Sequence, residues 1–295
     1  MNDWDLRIFD AVARSGAIGR AAAKLNTVQS NVTTRIRQLE QELGVSLFDR
    51  HSRGVVLTAA GMRLQPYALG VLELMEDARK AARDDGAPKG PLSLGTLETT
   101  AALRLPPMLT AFAQAYPEVD LSLATGTTAG LIDDVLARRL EGAFVVGPVD
   151  RPDLIAEPVF VESLVLLTAP AVTDLDALRG SKDLKIVVFR LGCSYRQRLE
   201  MILAKRGLVG LRVLEFGSLE AIIGCVAAGI GVTLLPKGTF EPALRARLVA
   251  QQPLSRADAS VETVFVRRAD AYASSAMTAF VNMARSPPPR AVAAE

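Results

Sequence analysis

The sequence predicts a mainly α-helical N-terminal region followed by an α/β region of two subdomains. Residues 1–58 carry apolar side chains at the spacing of short helices, and residues 59–86 continue as one long helical pattern. From Gly90 onward, strands and helices alternate between Gly and Pro residues. A chain of 295 residues that is 49% hydrophobic is long enough to bury the cores of two or three domains.

Composition and charge exclude several classes of protein. The net charge of +2 neither favours nor opposes nucleic acid, so only the local distribution of charge is informative. Two cysteines, Cys193 and Cys225, are too few for a disulfide framework. No signal peptide is predicted, and no stretch approaches the roughly 20 apolar residues that span a bilayer. We therefore expect a cytoplasmic protein without a membrane partner.

The first region carries the pattern of a winged helix-turn-helix. Phe9 lies on the apolar stripe of the first helix, an alanine-rich helix follows, and Asn26-Thr27 forms a turn. A third helix is expected over about residues 28–43, with a buried stripe of Val32, Ile36, Leu39 and Leu43. Two short helices joined by a tight turn, followed by a strand-turn-strand wing over residues 44–58, are typical of this fold.

The opposite face of the third helix is polar and locally basic. Residues between Asp10 and Glu40 include Arg14, Arg20, Lys24, Arg35 and Arg37 but no acid. Cations can contact phosphates, and amide and hydroxyl groups can read base edges in the major groove. The alternative is an ordinary solvated face of a helical bundle. The base-reading residues are expected to be Gln29, Ser30, Asn31, Thr33 and Thr34. The phosphate contacts are expected from Arg35 or Arg37 and from the wing residues Arg50 and Arg53.

The stretch "FDAVARSGAIGRAAAKLNTVQSNVTTRIRQLEQELGVSLFDRHSRGVVLTAAG" resembles the N-terminal domain of LysR-type transcriptional regulators. The likeness covers about 55 residues and lies in Phe9, Gln29, Glu40 and the segments "LGVSLFDR" and "LTAAG". The departures fall on the third helix, where Val28 precedes Gln29 and Ser30-Asn31 follow it. The resemblance implies a regulator that binds double-stranded promoter DNA. The departures forbid copying a target sequence from relatives.

Residues 59–89 are predicted to form a dimerisation helix and a hinge, "DDGAPKGP". Apolar residues alternate in steps of four and three, which is typical of a coiled-coil seam. The expected seam consists of Leu64, Ala68, Val71, Met75, Ala78 and Ala82. The alternative is a core helix of a globular domain. The resemblance implies that this helix pairs with its twin, so we expect a homodimer or a homotetramer.

Residues 90–285 form the predicted effector-binding domain, and the tail 286–295 is expected to be disordered. The alternation of elements predicts parallel strands with crossover helices. Resemblance to the effector domain of the same regulators implies the fold of type 2 periplasmic binding proteins, with two crossings between two subdomains. We expect the crossings near Glu162 and Val266. Subdomain I would then cover about residues 90–162 and 267–285, and subdomain II about residues 163–266.

Hydroxyl groups follow four predicted strands of this domain. Ligands bind beyond the carboxyl ends of strands in open α/β sheets, where free N–H groups at helix N-termini favour anions. Singly, each hydroxyl is explained as a helix N-cap. For the set as a whole, the resemblance implies that they line a cleft, because the LysR-type regulators place their effector there, and the helix N-termini favour a small, anionic one. The expected effector-binding residues are Thr96, Thr99, Thr100, Thr127, Thr128, Ser194, Arg196 and Ser218.

Catalytic chemistry finds little support in the sequence. The single histidine, His51, lies in the predicted wing, so the α/β region has no base for a Ser-His-Asp arrangement. One His and two isolated Cys have no metal-ligand spacing, and the common nucleotide-binding motifs are absent. We therefore expect no enzyme activity, no metal and no cofactor. Cys193 falls at a predicted helix N-terminus, but without a paired cysteine we do not expect redox sensing.

The predicted function is a sequence-specific transcription regulator modulated by a small molecule, with RNA polymerase as a further candidate partner. The first alternative is a cytoplasmic solute-binding protein of the same α/β fold without a regulatory role. It would leave the first 86 residues without a purpose. The second alternative, an enzyme fused to a DNA-binding module, is disfavoured by the single histidine. Salt-dependent, sequence-selective binding to upstream DNA distinguishes a regulator from both.

Overall fold

The structure, a computed structural model, describes residues 1–51, 54–172, 174 and 184–285. The chain forms two compact units, which meet in the sequence at Arg83 and Asp84. The wing residue Arg53 and the predicted tail 286–295 lie outside the described residues, and Arg50 is described for its backbone alone. Within the described ranges, no helix has the length and apolar composition needed to cross a membrane.

The first unit combines helices with a two-stranded wing. Its elements, in chain order, are α1 (Asp3–Ser15), α2 (Ile18–Lys24), α3 (Gln29–Leu43), β1 (Phe48–His51), β2 (Gly54–Leu57) and α4 (Ala59–Arg83). A capping box between Asn2 and Asp5 begins α1, and Gly16 and Gly44 end α1 and α3 in the left-handed conformation that glycine adopts without strain. Strand β1 pairs antiparallel with β2.

The core of this unit buries the stripe expected from the helical spacing. Val32, Ile36 and Leu39 of α3 are buried against α1, and the ring of Phe9 packs 5.3 Å from that of Phe48 in the wing. Leu43 is 38% exposed, so its inclusion in the stripe was wrong: α3 ends there, and the chain turns away at Gly44.

Helix α4 packs against α1 through one face. Ala68 is buried in the core of the unit, and Leu64 and Leu72 pack beside it. Arg7 of α1 donates a hydrogen bond to Glu76 at 2.8 Å, and this bond holds the pKa of Glu76 below its usual range. The first two positions of the predicted coiled-coil seam, Leu64 and Ala68, therefore pack inside the first unit.

The second unit contains the α/β elements. They are β3 (Gly90–Leu97), α5 (Glu98–Leu103), α6 (Leu105–Ala115), β4 (Val119–Gly126), α7 (Thr128–Leu136), β5 (Gly142–Val146), β6 (Leu154–Thr168), β7 (Lys185–Phe189), α8 (Ser194–Ala204), β8 (Arg212–Phe216), α9 (Leu219–Ala227), β9 (Thr233–Pro236), α10 (Glu241–Arg245), β10 (Ala250–Gln252), α11 (Arg256–Ala259), β11 (Ser260–Arg268) and α12 (Ser275–Arg285).

Strand β6 belongs to both lobes of this unit. Its first part pairs with β11 in the sheet order β6-β11-β5-β3-β4, which forms lobe I. Its second part pairs with β9 and β10 in lobe II, where β7 pairs with β8 and bridges to Val232 beside β9. The first crossing therefore lies within β6 next to Glu162.

The second crossing does not lie at Val266. Residues 263–267 of β11 pair with β5, and the whole of β11 pairs with the lobe I part of β6. Residues 260–268 therefore belong to lobe I, and the expected boundary was several residues too late. Antiparallel pairing with a strand that is distant in the sequence determines this boundary, and it left no local signal in the sequence.

Candidate functional site

The exposed side of α3 begins at its N-terminus. Gln29, Ser30, Thr34 and Arg37 are exposed, whereas Thr33 is half-buried. The N-cap residue, Val28, makes no side-chain capping bond and is 65% exposed. Within the described residues, Arg37 forms no ion pair or hydrogen bond through its guanidinium. The first turn of α3 thus presents amide, hydroxyl and methyl groups, with an unpaired cation two turns further on.

Two of the predicted DNA-contacting residues are engaged inside the unit. The Arg35 guanidinium lies 3.5 Å from the buried carboxylate of Asp5, so it is directed toward α1 rather than toward a phosphate. Asn31 donates a hydrogen bond to the Thr27 hydroxyl at 3.0 Å and so stabilises the turn before α3. Between the alternatives Arg35 and Arg37, the geometry favours Arg37.

Glu40 connects α3 with the wing. Its Oε1 accepts hydrogen bonds from the backbone N–H groups of Leu47 and Phe48 at 2.7 and 3.2 Å. Leu47 and Phe48 are buried, so these donors have little access to water. The carboxylate therefore fixes where the wing begins relative to the exposed face of α3.

The face of α4 that does not contact α1 is apolar and exposed. Tyr67, Val71 and Leu74 are 74%, 45% and 57% exposed, and Ala78 is also exposed. They follow one another in steps of four, three and four, which is the spacing of a coiled-coil seam. The exposed seam therefore shares Val71 and Ala78 with the predicted one. It contains Tyr67 and Leu74 in place of Leu64 and Ala68, which pack inside the first unit.

Four strand ends surround a cavity of about 350 Å³ between the lobes of the second unit. Strands β3 and β4 contribute from lobe I, and β7 and β8 contribute from lobe II. Gly192 touches lobe I: its carbonyl accepts from Ala129 N–H at 3.3 Å, and a Cβ there would lie 2.9 Å from the Thr127 hydroxyl. Its φ of +92° also favours glycine. Lining residues include Leu97, Thr125, Phe189, Leu191 and Phe216.

Two of the eight predicted effector residues, Thr99 and Thr127, line this cavity. Thr96 and Thr100 are buried and do not line it, and Ser218 caps α9 by accepting from Ala221 N–H at 3.4 Å. The N-cap explanation therefore holds for Ser218 but not for Thr96 or Thr100, because the N-cap of α5 is Leu97. The hydroxyl of Thr127 also caps a helix, since it accepts from Gly130 N–H at 3.2 Å.

The cation at this cavity is Arg190, not the predicted Arg196. Arg196 pairs with Glu200 at 3.1 Å and with Glu215, so its charge is already neutralised. Arg190 lines the cavity from lobe II and Glu98 lines it from lobe I. Within the described residues, neither of these two side chains forms an ion pair or a side-chain hydrogen bond.

Two neighbouring hydroxyls beside the cavity, those of Thr99 and Tyr195, are 2% and 4% exposed. They lie close enough for Thr99 to act on the Tyr195 hydroxyl, but neither Thr99 Oγ nor Tyr195 OH makes a hydrogen bond of normal geometry within the described residues. Burial raises the pKa of Tyr195, so the phenol stays protonated and able to donate. Burial likewise raises the pKa of the Cys193 thiol and outweighs the opposing hydrogen bonds from the backbone N–H groups at the start of α8.

A second cavity of about 450 Å³ lies on the other side of Tyr195. The predicted residues Thr128 and Ser194 line it, together with apolar side chains such as Ile132 and Met201. The Thr128 hydroxyl accepts from Val146 N–H at 3.4 Å. The hydroxyls that were expected to form one site are therefore divided between two cavities.

Sequence reasoning missed Glu98, Arg190 and Tyr195. Glu98 and Arg190 are the first residues after β3 and β7, so position at the strand end alone would have identified them. The search for hydroxyls directed attention to Thr99 and Ser194 instead. Tyr195 had no comparable signal, because only packing shows that its hydroxyl is buried at the cavity. Among the described residues, no cluster of three or more His, Cys, Asp or Glu could hold a metal ion.

A winged helix-turn-helix unit and a two-lobed α/β unit with an interlobe cavity define, in one chain, a DNA-binding regulator with a ligand-binding domain. Residues 4–62 match the family model described as bacterial regulatory helix-turn-helix protein, lysR family, and residues 85–287 match the LysR substrate binding domain. The chain belongs to the LysR family of transcriptional regulators.

Curated relatives and solved structures agree with this family. The HTH-type transcriptional regulator GltR of Bacillus subtilis (strain 168) is 42% identical over 285 residues, which cover 97% of this chain and 96% of GltR. The HTH-type transcriptional regulator SoxR of Arthrobacter sp. (strain TE1826) is 38% identical over 284 residues, covering 96% of each chain.

Two solved structures share the fold. A full-length OxyR variant from Pseudomonas aeruginosa has a TM-score of 0.72 at 23% identity and covers 97% of this chain and 95% of its own. Full-length CbnR, solved with its target DNA, has a TM-score of 0.66 at 24% identity, and the match covers 97% of this chain and 99% of the CbnR chain. The predicted family, fold class and regulatory function are confirmed. Both alternatives, the solute-binding protein and the fused enzyme, were wrong.

Proposed function

We propose that this regulator reads promoter DNA with the exposed face of α3 and changes its action when a small ligand with an anionic group occupies the 350 Å³ cavity. The observation that carries the proposal is Arg190, which has no partner among the described residues, beside two buried hydroxyls that make no hydrogen bond of normal geometry. Buried polar groups are normally hydrogen-bonded, so a cavity that leaves them unsatisfied is suited to a ligand that completes them.

For DNA, we propose that Gln29, Ser30 and Thr34 read base edges and that Arg37 contacts a phosphate. Asn31 supports the turn before α3, Thr33 is half-buried, and the wing residues Arg50 and Arg53 remain predicted phosphate contacts. Losing a base contact costs about 1–3 kcal/mol at one base pair, whereas losing a phosphate contact weakens every sequence alike.

The experiment compares Gln29→Ala with Arg37→Ala in gel-shift titrations on upstream DNA and on a scrambled duplex. Gln29→Ala is expected to lose affinity for the upstream DNA alone. Arg37→Ala is expected to weaken both duplexes and to lower the slope of log affinity against log salt by about one. Equal, sequence-independent losses in the two variants would refute this division of roles.

For the effector, we propose that ligand binding draws the two lobes together. A ligand that touches Arg190 in lobe II and Thr99 in lobe I binds the closer arrangement better, and it shifts the population only by that difference in affinity. Thr99→Val is expected to abolish the DNA-binding response to effector. Ser194→Ala, in the second cavity, is the matched control and is expected to keep it. The reverse result would move the site to the second cavity.

For assembly, we propose a homodimer through the exposed seam of α4, and a homotetramer in which such dimers join through the effector domains. Leu74→Asp places a charge in that seam and is expected to dissociate the dimer. Met62 is 59% exposed, close to the 57% of Leu74, but lies off the seam, so Met62→Asp is the matched control. Sedimentation velocity measures both, and a monomeric unmutated protein would end the proposal.

We also propose that the protein acts in the cytoplasm, where bacterial promoter DNA lies, and that RNA polymerase contacts it there. The support is functional: a regulator bound at a promoter shares that DNA with the polymerase. Adding polymerase to the protein–DNA complex is expected to give a ternary band with higher affinity than polymerase alone. Independent binding of the two proteins to the same DNA would argue against direct contact.

A further inference from the structure

The interlobe cavity carries opposite charges on its two sides. Glu98 begins α5 directly after β3 in lobe I, and Arg190 follows β7 in lobe II. Glu98 is half-buried and Arg190 is exposed at the mouth of the cavity, and the two side chains do not pair with each other or with any other described residue. A carboxylate and a guanidinium that face one cavity from different lobes each need a partner of opposite charge when solvent leaves it.

A purely anionic ligand satisfies only half of this cavity. Its negative group would pair with Arg190 through charge-assisted hydrogen bonds, but it would also bring a second negative charge close to Glu98. Like charges in a small, partly dehydrated space repel strongly, because the surroundings screen them less than water does. A ligand that also carries a positive group removes this repulsion and pairs with Glu98.

The rest of the lining fits a short dipolar molecule. The neighbouring hydroxyls of Thr99 and Tyr195 are buried without a hydrogen bond of normal geometry, and a hydroxyl can donate to a carboxylate or accept from an ammonium group. Leu97, Phe189 and Phe216 supply apolar surface for a carbon skeleton. The cavity volume of about 350 Å³ lies at the small end of the range of roughly 300–1,000 Å³ found for ligand pockets.

We propose that the effector is an amphoteric small molecule of the amino-acid class, with its carboxylate on Arg190 and its ammonium group on Glu98. This inference rests on the proposed effector site. Because the two charged partners come from different lobes, only a ligand with both groups engages both lobes through ion pairs. The pairing therefore supplies the difference in affinity that the closed arrangement requires.

The test uses the full-length protein and a panel of the twenty common amino acids. Each is compared with its N-acetyl derivative, which lacks the positive charge, and its carboxamide, which lacks the negative charge. Thermal shift identifies binders, since a ligand of the folded state raises the melting temperature, and calorimetry gives their affinities. We expect at least one amino acid to bind, and both of its derivatives to bind at least about tenfold more weakly.

Variants assign the two charges. Glu98→Gln is expected to remove the preference for the amino acid over its N-acetyl derivative, and Arg190→Gln the preference over its carboxamide. Glu118→Gln removes one exposed carboxylate at the opposite, amino end of β4 and is the matched control, expected to keep both preferences. The melting temperature of each variant without ligand confirms that it is folded.

The outcomes separate this inference from the effector site itself. N-acetyl derivatives that bind the unmutated protein as tightly as the parent amino acids would overturn the amphoteric class and leave an anion site at Arg190. A panel without any binder would also overturn the class. Amino-acid binding that survives both Glu98→Gln and Arg190→Gln unchanged would overturn the site, and the inference with it.

Discussion

Replacing Glu40 tests whether one carboxylate joins α3 to the wing. Its Oε1 accepts from two buried backbone N–H groups, those of Leu47 and Phe48, at 2.7 and 3.2 Å. Glu40→Ala removes the acceptor for both and leaves the donors without a replacement. A net hydrogen bond contributes about 1 kcal/mol, and a charged acceptor somewhat more, so the expected loss is about 2 kcal/mol in the unfolding free energy of the first unit.

The single tryptophan makes the measurement specific to that unit. Trp4 lies in α1 and packs against the same core as Phe48, so its fluorescence during urea unfolding follows the first unit alone. Glu40→Gln keeps a neutral acceptor oxygen and is expected to lose about 1 kcal/mol. Gln41→Ala, at the exposed neighbouring position, is the control and is expected to stay within about 0.5 kcal/mol of the unmutated protein.

The same variants test the consequence for DNA. If Glu40 fixes the wing relative to α3, Glu40→Ala should weaken DNA binding more than Gln41→Ala at temperatures where both remain folded. An unfolding free energy for Glu40→Ala within about 0.5 kcal/mol of the Gln41→Ala value would refute the reasoning, because the two hydrogen bonds would then contribute nothing that water does not replace.

Three further changes have outcomes set by the structure. Val28→Ser supplies the missing N-cap of α3 and should raise the unfolding free energy of the first unit by about 1 kcal/mol, measured by urea unfolding. Gly142→Ala places a Cβ 2.2 Å from the buried ring of Phe265 and should cost at least about 1–3 kcal/mol, measured by chemical unfolding. Hydrogen bonds from Ser275 hold the pKa of Asp84 well below its usual range, so the stabilisation is present above the unfolded-state pKa of about 4. It is lost as pH falls from there toward the folded-state pKa, so acid should destabilise Asp84→Asn less steeply than the unmutated protein.

The spacing of apolar residues was enough to predict the elements that bury one face in the core. Val32, Ile36 and Leu39 follow the helical repeat and form the core side of α3, and the alternation of strands and helices correctly predicted the α/β unit. Topology also explains why the carboxyl ends of β3 and β4 lie together and why those of β7 and β8 do, because each pair is parallel. That the two pairs face each other depends on how the lobes pack. Which polar groups face the cavity depends on side-chain contacts. This is why Thr99 was found and Arg190 was not.

The exposed apolar seam of α4 differs from the predicted one for a related reason. Leu64 and Ala68 have the spacing of a coiled coil, but the same residues pack against α1 in their own unit. One helix here carries two apolar stripes, and a one-dimensional pattern does not say which stripe is covered by the chain itself. Only the packing of Leu72 beside Ala68 decides it, and this leaves Tyr67 and Leu74 on the exposed side.

Because β6 runs without a break through both lobes, the spacing between the lobes can change only in steps of one residue. Successive side chains of a strand point to opposite faces, so inserting one residue after Glu162 would turn the buried Leu164 and Leu166 outward. Inserting two would restore the faces but shift the pairing with β9 by about 6.6 Å. We therefore expect length differences among relatives to fall in loops and not in β6, because the length of this strand fixes the position of one lobe relative to the other.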